Sequence, residues 1–242
     1  SNPKTGAQAV VASLEEAGVR VIFGVQGGAI MPVYDALYDS KLEHITMGHE
    51  QGAAHAADAY GIVSGQPGVC IATSGPGATN LITGLADANM DSVPVLALTG
   101  QVPTNFVGND AFQECDTIGV SNPVTKANFF ATESETVGDL VSLAFLLARE
   151  GRQGPTLVDL PKDVTLGEVS NWKYKPPKLP GHVEIPEGAD VKVIELAATA
   201  LIDAKKPVIL AGGGVIKGSA CEQLYKFATE FEIPVVTTMP GI

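Results

Sequence analysis

Positive charge, cysteine and long apolar runs are all scarce in this chain, and each scarcity removes a class of function. Lys and Arg together number 15 against 27 Asp and Glu, a formal net charge of −12. No basic footprint exists, which argues against nucleic acid and against anionic membrane surfaces as partners. The acidity itself reads as a device for solubility. No apolar run approaches the roughly 18 residues that a spanning helix needs. The three cysteines, Cys70, Cys115 and Cys221, are odd in number, far apart and without a CxxC spacing. That argues for free thiols in a reducing compartment, hence a cytoplasmic location, and against a disulfide frame or a zinc site. There is no P-loop. Gly24-Val25-Gln26-Gly27-Gly28 does not fit GxGxxG, and Gly212-Gly213-Gly214 fails the same fingerprint because Lys217 stands where it needs Gly. The opening Ser1-Asn2-Pro3-Lys4 carries no apolar signal core and reads as a processed end or the scar of a tag.

What the chain does have is apolar material and turn residues. Of its 242 residues 45% are hydrophobic and 17% charged, with 27 Gly and 16 Pro. That suffices for a real core cut into short elements by tight turns. The apolar pattern alternates between strand-like runs and helical stripes. Helices are expected over residues 4–18, from Gly27-Gly28 to Tyr38, 50–63, 78–89 and 135–150. Strands are expected at 19–24, 44–47, 68–73, 94–99 and 155–160. These strands are nearly continuous apolar runs, as in a parallel sheet covered on both faces. The fold class read from this rhythm is α/β, a doubly wound parallel sheet. Residues 101–122 form a long irregular stretch, a length that usually signals function or disorder. Three parts follow: a first domain over 1–168, a Pro- and Lys-rich linker over 169–188, and a second α/β domain over 189–242. The last has too few strands to close and is expected to be incomplete.

Three segments are candidates for chemistry. In His49-Glu50-Gln51-Gly52-Ala53-Ala54-His55, the two His lie six residues apart, about 240° around a helix, so they cannot share a metal ion. No metal ligands are assigned. What remains is Glu50 at the head of an Ala/Gly-rich helix. Taken alone, such a Glu is commonly a first-turn acid favoured by the helix dipole, and the small-residue face is commonly tight packing. Thr73-Ser74-Gly75-Pro76-Gly77-Ala78-Thr79-Asn80 is a strand–turn–helix junction of the kind that binds ligands at the carboxyl ends of parallel strands, although alone it is equally a plain turn. The Gly24–Ile30 segment is a second glycine turn of that type.

In this order, these segments resemble the large catalytic subunit of acetolactate (acetohydroxyacid) synthase, a thiamine-diphosphate enzyme. The resemblance runs from about Lys4 to Ile242. Besides the first two segments, it rests on Asp110-Ala111-Phe112-Gln113-Glu114 and on Gly154-Pro155 to Pro161-Lys162-Asp163-Val164. It implies that Glu50 is the catalytic carboxyl, hydrogen-bonded to N1′ of the cofactor's aminopyrimidine. There it would favour the imino tautomer that takes the thiazolium C2 proton. This task needs a water-poor pocket. The resemblance places Pro76 and Asn80 at the pyrimidine, and Gly27, Gly28 and Ala29 facing the reacting side. It places Phe112, Gln113 and Lys162 at the substrate. Arg152, Gly212 and Gly213 would touch a structural FAD. The implied reaction joins pyruvate to a second 2-keto acid, pyruvate or 2-ketobutyrate, giving 2-acetolactate or 2-aceto-2-hydroxybutyrate. A homodimer or tetramer is implied, with a regulatory subunit as a further partner.

The chain departs from the family pattern at Val25-Gln26, Gly48, Ala59, Gly61-Ile62 and Ala127. These changes touch the expected dimer seam and the fine shape of the pocket. The Gly-Asp-Gly motif that holds magnesium and the diphosphate is also missing, since Gly138-Asp139-Leu140 lies within a helix. The chain is therefore expected to be a shortened piece, inactive alone, with the Mg2+ site in a domain it lacks. The rival readings are a pyruvate oxidase or 2-keto acid decarboxylase, and a non-catalytic module of the same fold.

Overall fold

Six short strands, the central ones mostly aliphatic, pair into one all-parallel sheet: β1 (Val21–Gly24), β2 (Glu43–Thr46), β3 (Gly68–Ala72), β4 (Val95–Gln101), β5 (Ala127–Phe130) and β6 (Pro155–Pro161), in the order β2-β1-β3-β4-β6-β5. The helices between them are α1 (Gly6–Glu16), α2 (Met31–Tyr38), α3 (Glu50–Ser64), α4 (Pro76–Asp91), α5 (Thr117–Ser121), α6 (Val137–Arg149) and α7 (Lys162–Leu166). This computed structural model describes residues 3–179 and 188–242. Ser1 and Asn2 of the end read as processed, and residues 180–187 of the expected linker, lie outside the described residues.

Strand alternation sorts the core into two layers. Val69 and Ile71, Leu96 and Leu98, Val158 and Leu160 face one side, where they meet α1, α2 and α6 through Val10, Leu14, Val33 and Phe145. Cys70 and Ala72, Val95 and Ala97, and Leu157 face the other, against Ala53, Ala54 and Ala57 of α3 and Leu81 and Leu85 of α4. Both faces are covered, which is why the central strands are largely apolar on either side. The doubly wound parallel sheet read from the sequence is the observed architecture. The α3–α4 seam is built from small residues because the helices nearly touch. A Cβ on Gly84 would come within 2.5 Å of the Ala54 Cβ.

Two sequence expectations need correction. The helix expected to open at Gly27 starts only at Met31. Gly27 to Ile30 form a turn closed by Ile30 N donating to Gly27 O (3.2 Å), and Pro32 then fits the first helical turn. The 101–122 stretch is not irregular throughout: a 3-10 turn covers Thr104–Phe106, α5 follows, and a second 3-10 turn covers Asn122–Val124. The sequence reading also passed over edge strand β5 and the five-residue α7.

The chain divides into two compact units, residues 1–180 and 181–242. The first part of the 169–188 stretch belongs to the first unit. Val169 N donates to Lys4 O (2.9 Å), and Trp172 is 6% exposed, its indole N–H on Asp139 Oδ1 at 2.9 Å. The second unit contains α8 (Val191–Asp203), β7 (Ile209–Ala211), α9 (Gly214–Lys217), α10 (Cys221–Glu230) and β8 (Val235–Thr237), with β7 and β8 paired in parallel. Among the described residues no helix is long and apolar enough to cross a membrane.

Candidate functional site

The strand order reverses direction between β1 and β3, and a parallel sheet opens a crevice at the carboxyl ends of its strands at such a point. Three loops meet there: Gly24 to Ile30 after β1, Met47 to Glu50 after β2, and Thr73 to Gly75 after β3. Each belongs to one of the segments singled out in the sequence.

Glu50 is the first residue of α3. His49 caps that helix, with its Nδ1 accepting from Gln51 N at 3.0 Å, while His55 turns to α4 and faces Asp87 Oδ2 at 3.6 Å. The Glu50 carboxylate is half-buried, wetter in the single chain than the water-poor pocket the chemistry asks for. Its Oε2 accepts from Asn80 Nδ2 at 2.9 Å, one turn into α4. Its Oε1 has no hydrogen-bond partner among the described residues and lies over the start of α4, 3.4 Å from where a Gly77 Cβ would be. Behind it, Tyr34 Oη and His44 Nε2 share a hydrogen bond at 3.0 Å. Burial, and after it the Glu50 carboxylate, raise the Tyr34 hydroxyl well above the usual phenol range, so it stays neutral. Burial also lowers His44 below its ordinary value.

The glycines around Glu50 have geometric reasons. Gly75 adopts φ +58°, ψ −116°, a conformation that favours glycine, and a Cβ there would lie 2.5 Å from the Gln113 carbonyl oxygen. Gly27 presses on the Thr73 side chain, and Ala29 N donates to Thr73 Oγ1 at 3.3 Å. Gly28 faces open space. Pro76 is exposed at the first turn of α4.

Glu50, Asn80, Gly27, Ala29, Pro76 and the Gln113 backbone therefore gather at one edge of the sheet. Phe112 is 88% exposed at the tip of the loop after β4. Lys162 begins α7 at the carboxyl end of β6, on the same edge. Arg152 lies at the opposite, amino-terminal edge, where its Nε donates to Ser92 Oγ at 2.8 Å. Gly212 and Gly213 follow β7 in the second unit; a Cβ on Gly213 would meet Pro240 O at 2.8 Å, so local packing already requires that glycine. Among the described residues no group of three or more His, Cys, Asp or Glu is placed to hold a metal ion.

The sequence reading missed the polar cluster under the loop after β4. Asp159, fully buried in β6, accepts from Thr99 Oγ1 (2.7 Å) and Gln101 Nε2 (2.9 Å). Burial pushes its carboxyl up to about 7, against the pull of those hydrogen bonds. The signal available was an acid interrupting the apolar run Pro155 to Leu160.

Residues 4–120 match the family described as thiamine pyrophosphate enzyme, N-terminal TPP binding domain, and residues 194–242 match thiamine pyrophosphate enzyme, central domain. The chain belongs to the thiamine pyrophosphate enzymes. Among them it is 52% identical over 239 residues to the probable acetolactate synthase large subunit of Methanocaldococcus jannaschii, covering 98% of this chain and 40% of that protein. It is 53% identical over 242 residues to the acetolactate synthase large subunit of Corynebacterium glutamicum (98% of this chain, 38% of that one). Against the acetolactate synthase large subunit of Lactococcus lactis it is 45% identical over 241 residues (99% and 42%). The chain thus spans about two fifths of the length of these thiamine pyrophosphate enzymes. Its six-stranded unit contains the match to their cofactor-binding N-terminal domain, and that match includes Glu50, Asn80 and the loop to Val120.

Proposed function

We propose that this chain is the amino-terminal part of a carboligase that uses thiamine diphosphate to join pyruvate to a second 2-keto acid, yielding 2-acetolactate or 2-aceto-2-hydroxybutyrate. The observation that carries the reading is the Glu50 carboxylate: one oxygen is fixed by Asn80 and the other is open beside Gly77. The residues present fit an aminopyrimidine. One carboxyl oxygen, Oε1, takes no hydrogen bond from a described residue and is left for a ring nitrogen, while Asn80 holds the acid at one angle. When bound, the cofactor supplies the carbon nucleophile and the electron sink for loss of carbon dioxide.

The chain's own residues do the rest. Glu50 holds or shares a proton at Oε1, towards the ring nitrogen that faces it. Asn80 keeps that acid from swinging away. Gly27, Gly28 and Ala29 leave the reacting side uncluttered, and Pro76 stiffens the edge of the pocket. Lys162 offers a positive charge to the keto acid carboxylate, and Phe112 and Gln113 shape the site for the second substrate. A partner subunit would cover the half-buried Glu50 and exclude water, so at least a homodimer is required. The Mg2+ ion and diphosphate would be held outside these 242 residues. A cytoplasmic location fits the free thiols.

Product analysis tests this proposal. The full-length protein given pyruvate, magnesium and cofactor should release acetolactate. Acetaldehyde or acetyl phosphate instead would make it a decarboxylase or an oxidase, and no turnover with retained fold would make it a non-catalytic module. The 242-residue chain alone should be inactive.

A further inference from the structure

Away from Glu50, the densest buried polar chemistry lies where β4 meets β6. Thr99 and Asp159 are direct partners across these strands, and Asp159 takes hydrogen bonds from Thr99 and from Gln101. The Gln101 amide is fixed in orientation. Its Oε1 accepts from Val102 N at 2.9 Å, so its NH2 group points at Asp159 and at the Cys115 carbonyl oxygen, 2.8 Å away. Val102 and Cys115 are the two ends of one loop. Both are therefore tied to a single buried side chain that Asp159 holds.

The loop between these ends is organised by two more carboxylates. Glu114 accepts from Gly108 N and from Ala111 N (2.8 Å), and Asp163 accepts from Thr104 N (3.0 Å) and Thr104 Oγ1 (2.5 Å). The arrangement presses the Gln113 carbonyl against Gly75, at the turn that opens α4. Burying a carboxylate is costly unless donors surround it. Here one donor, Gln101, also holds the far end of the loop through the Cys115 carbonyl, so the amide that satisfies Asp159 is the one that seats the loop.

We propose that Asp159 is a positioning residue: acting through Gln101, it seats the loop over 102–116 and so fixes where Phe112 and Gln113 stand beside the head of α4. What the loop does for substrate rests on the carboligase reading; the anchor itself does not.

Amide hydrogen exchange on the whole 242-residue chain tests the anchor. In Asp159→Ala, and separately in Gln101→Ala in case the first variant fails to fold, the amides of 102–116 should exchange roughly tenfold faster, the scale of one lost buried hydrogen bond. Those of α1 and α6 should keep their protection. Asp159→Asn retains a carbonyl to accept from Gln101 and should recover most of it. Unchanged loop exchange in Gln101→Ala, or faster exchange spread evenly over the unit, would overturn the proposal. In the full-length enzyme, Gln101→Ala should raise the KM for the 2-keto acid while leaving C2 proton exchange of the bound cofactor intact, the reverse of Glu50→Gln. Should the full-length protein prove not to be a carboligase, the exchange result on the loop still decides the anchor.

Discussion

Asp159 makes the stability of the first unit depend on pH in an unusual direction. Its carboxyl moves from an ordinary 3.8 to about 7 in the folded protein, chiefly because it is buried. A group that binds its proton more tightly when folded costs nothing below its unfolded value. It destabilises progressively as pH rises, until the folded value is passed. The full span corresponds to about 4 kcal/mol at roughly 1.4 kcal/mol per pH unit. The neighbouring Asp116 adds to the upward push, and the Cys115 thiol beside them is raised by burial first and by Asp116 and Asp159 after it. Asp159→Asn imitates the protonated acid: it keeps an oxygen for Gln101 and offers Thr99 a donor in place of an acceptor. Because the sequence pI is ≈ 4.7, urea melts should begin near pH 5.5, leaving about 2 kcal/mol of the change in view up to neutrality. The chain has one tryptophan, and Trp172 is buried in the first unit, so its fluorescence follows that unit alone. Relative to wild type, the Asn variant should gain about 2 kcal/mol between about pH 5.5 and 7.5 and little above that. A difference that stays flat across this range, or that favours the wild type as pH rises, would refute the reasoning.

Other outcomes follow from particular contacts. Gly138→Ala would place a Cβ 2.7 Å from the Trp172 ring, so it should cost about 1–3 kcal/mol and shift the indole emission to the red, read in a thermal melt followed by fluorescence. Gly75→Ala combines a positive φ with a clash on the Gln113 carbonyl; circular dichroism melts should show a loss of roughly 1–3 kcal/mol. Asn80→Ala frees the Glu50 carboxylate and should weaken cofactor binding to the full-length enzyme about tenfold, measured by calorimetry.

The βα rhythm was legible because the helices on both faces keep the central strands largely apolar, as in Val69 to Ala72 and Val95 to Leu98. The Thr73–Asn80 junction was legible because glycine and proline mark where the backbone must turn sharply, whereas the Glu50 segment carries no such mark and stood out only through the resemblance. Edge strand β5 escaped notice since Ala127-Asn128-Phe129-Phe130 is short and only partly buried, so its sequence carries little of the pattern. The order within the loop after β4 was hidden for another reason. Gln101 and Asp159 lie 58 residues apart, and Thr104 and Asp163 are separated by 59, so nothing local announces either bond. Trp172 looked like part of a linker because its partner, the notch at Gly138, is created by a glycine inside a distant helix.

The central claim is that Glu50 activates the cofactor, and proton exchange at the thiazolium C2 of bound thiamine diphosphate reads it without waiting for turnover. In the full-length protein, NMR-monitored deuterium exchange at C2 should be slowed by roughly 10²–10⁴-fold in Glu50→Gln, the range for loss of one positioned acid–base group, with the cofactor still bound. Equal exchange rates in the two proteins, at matched cofactor occupancy, would contradict it.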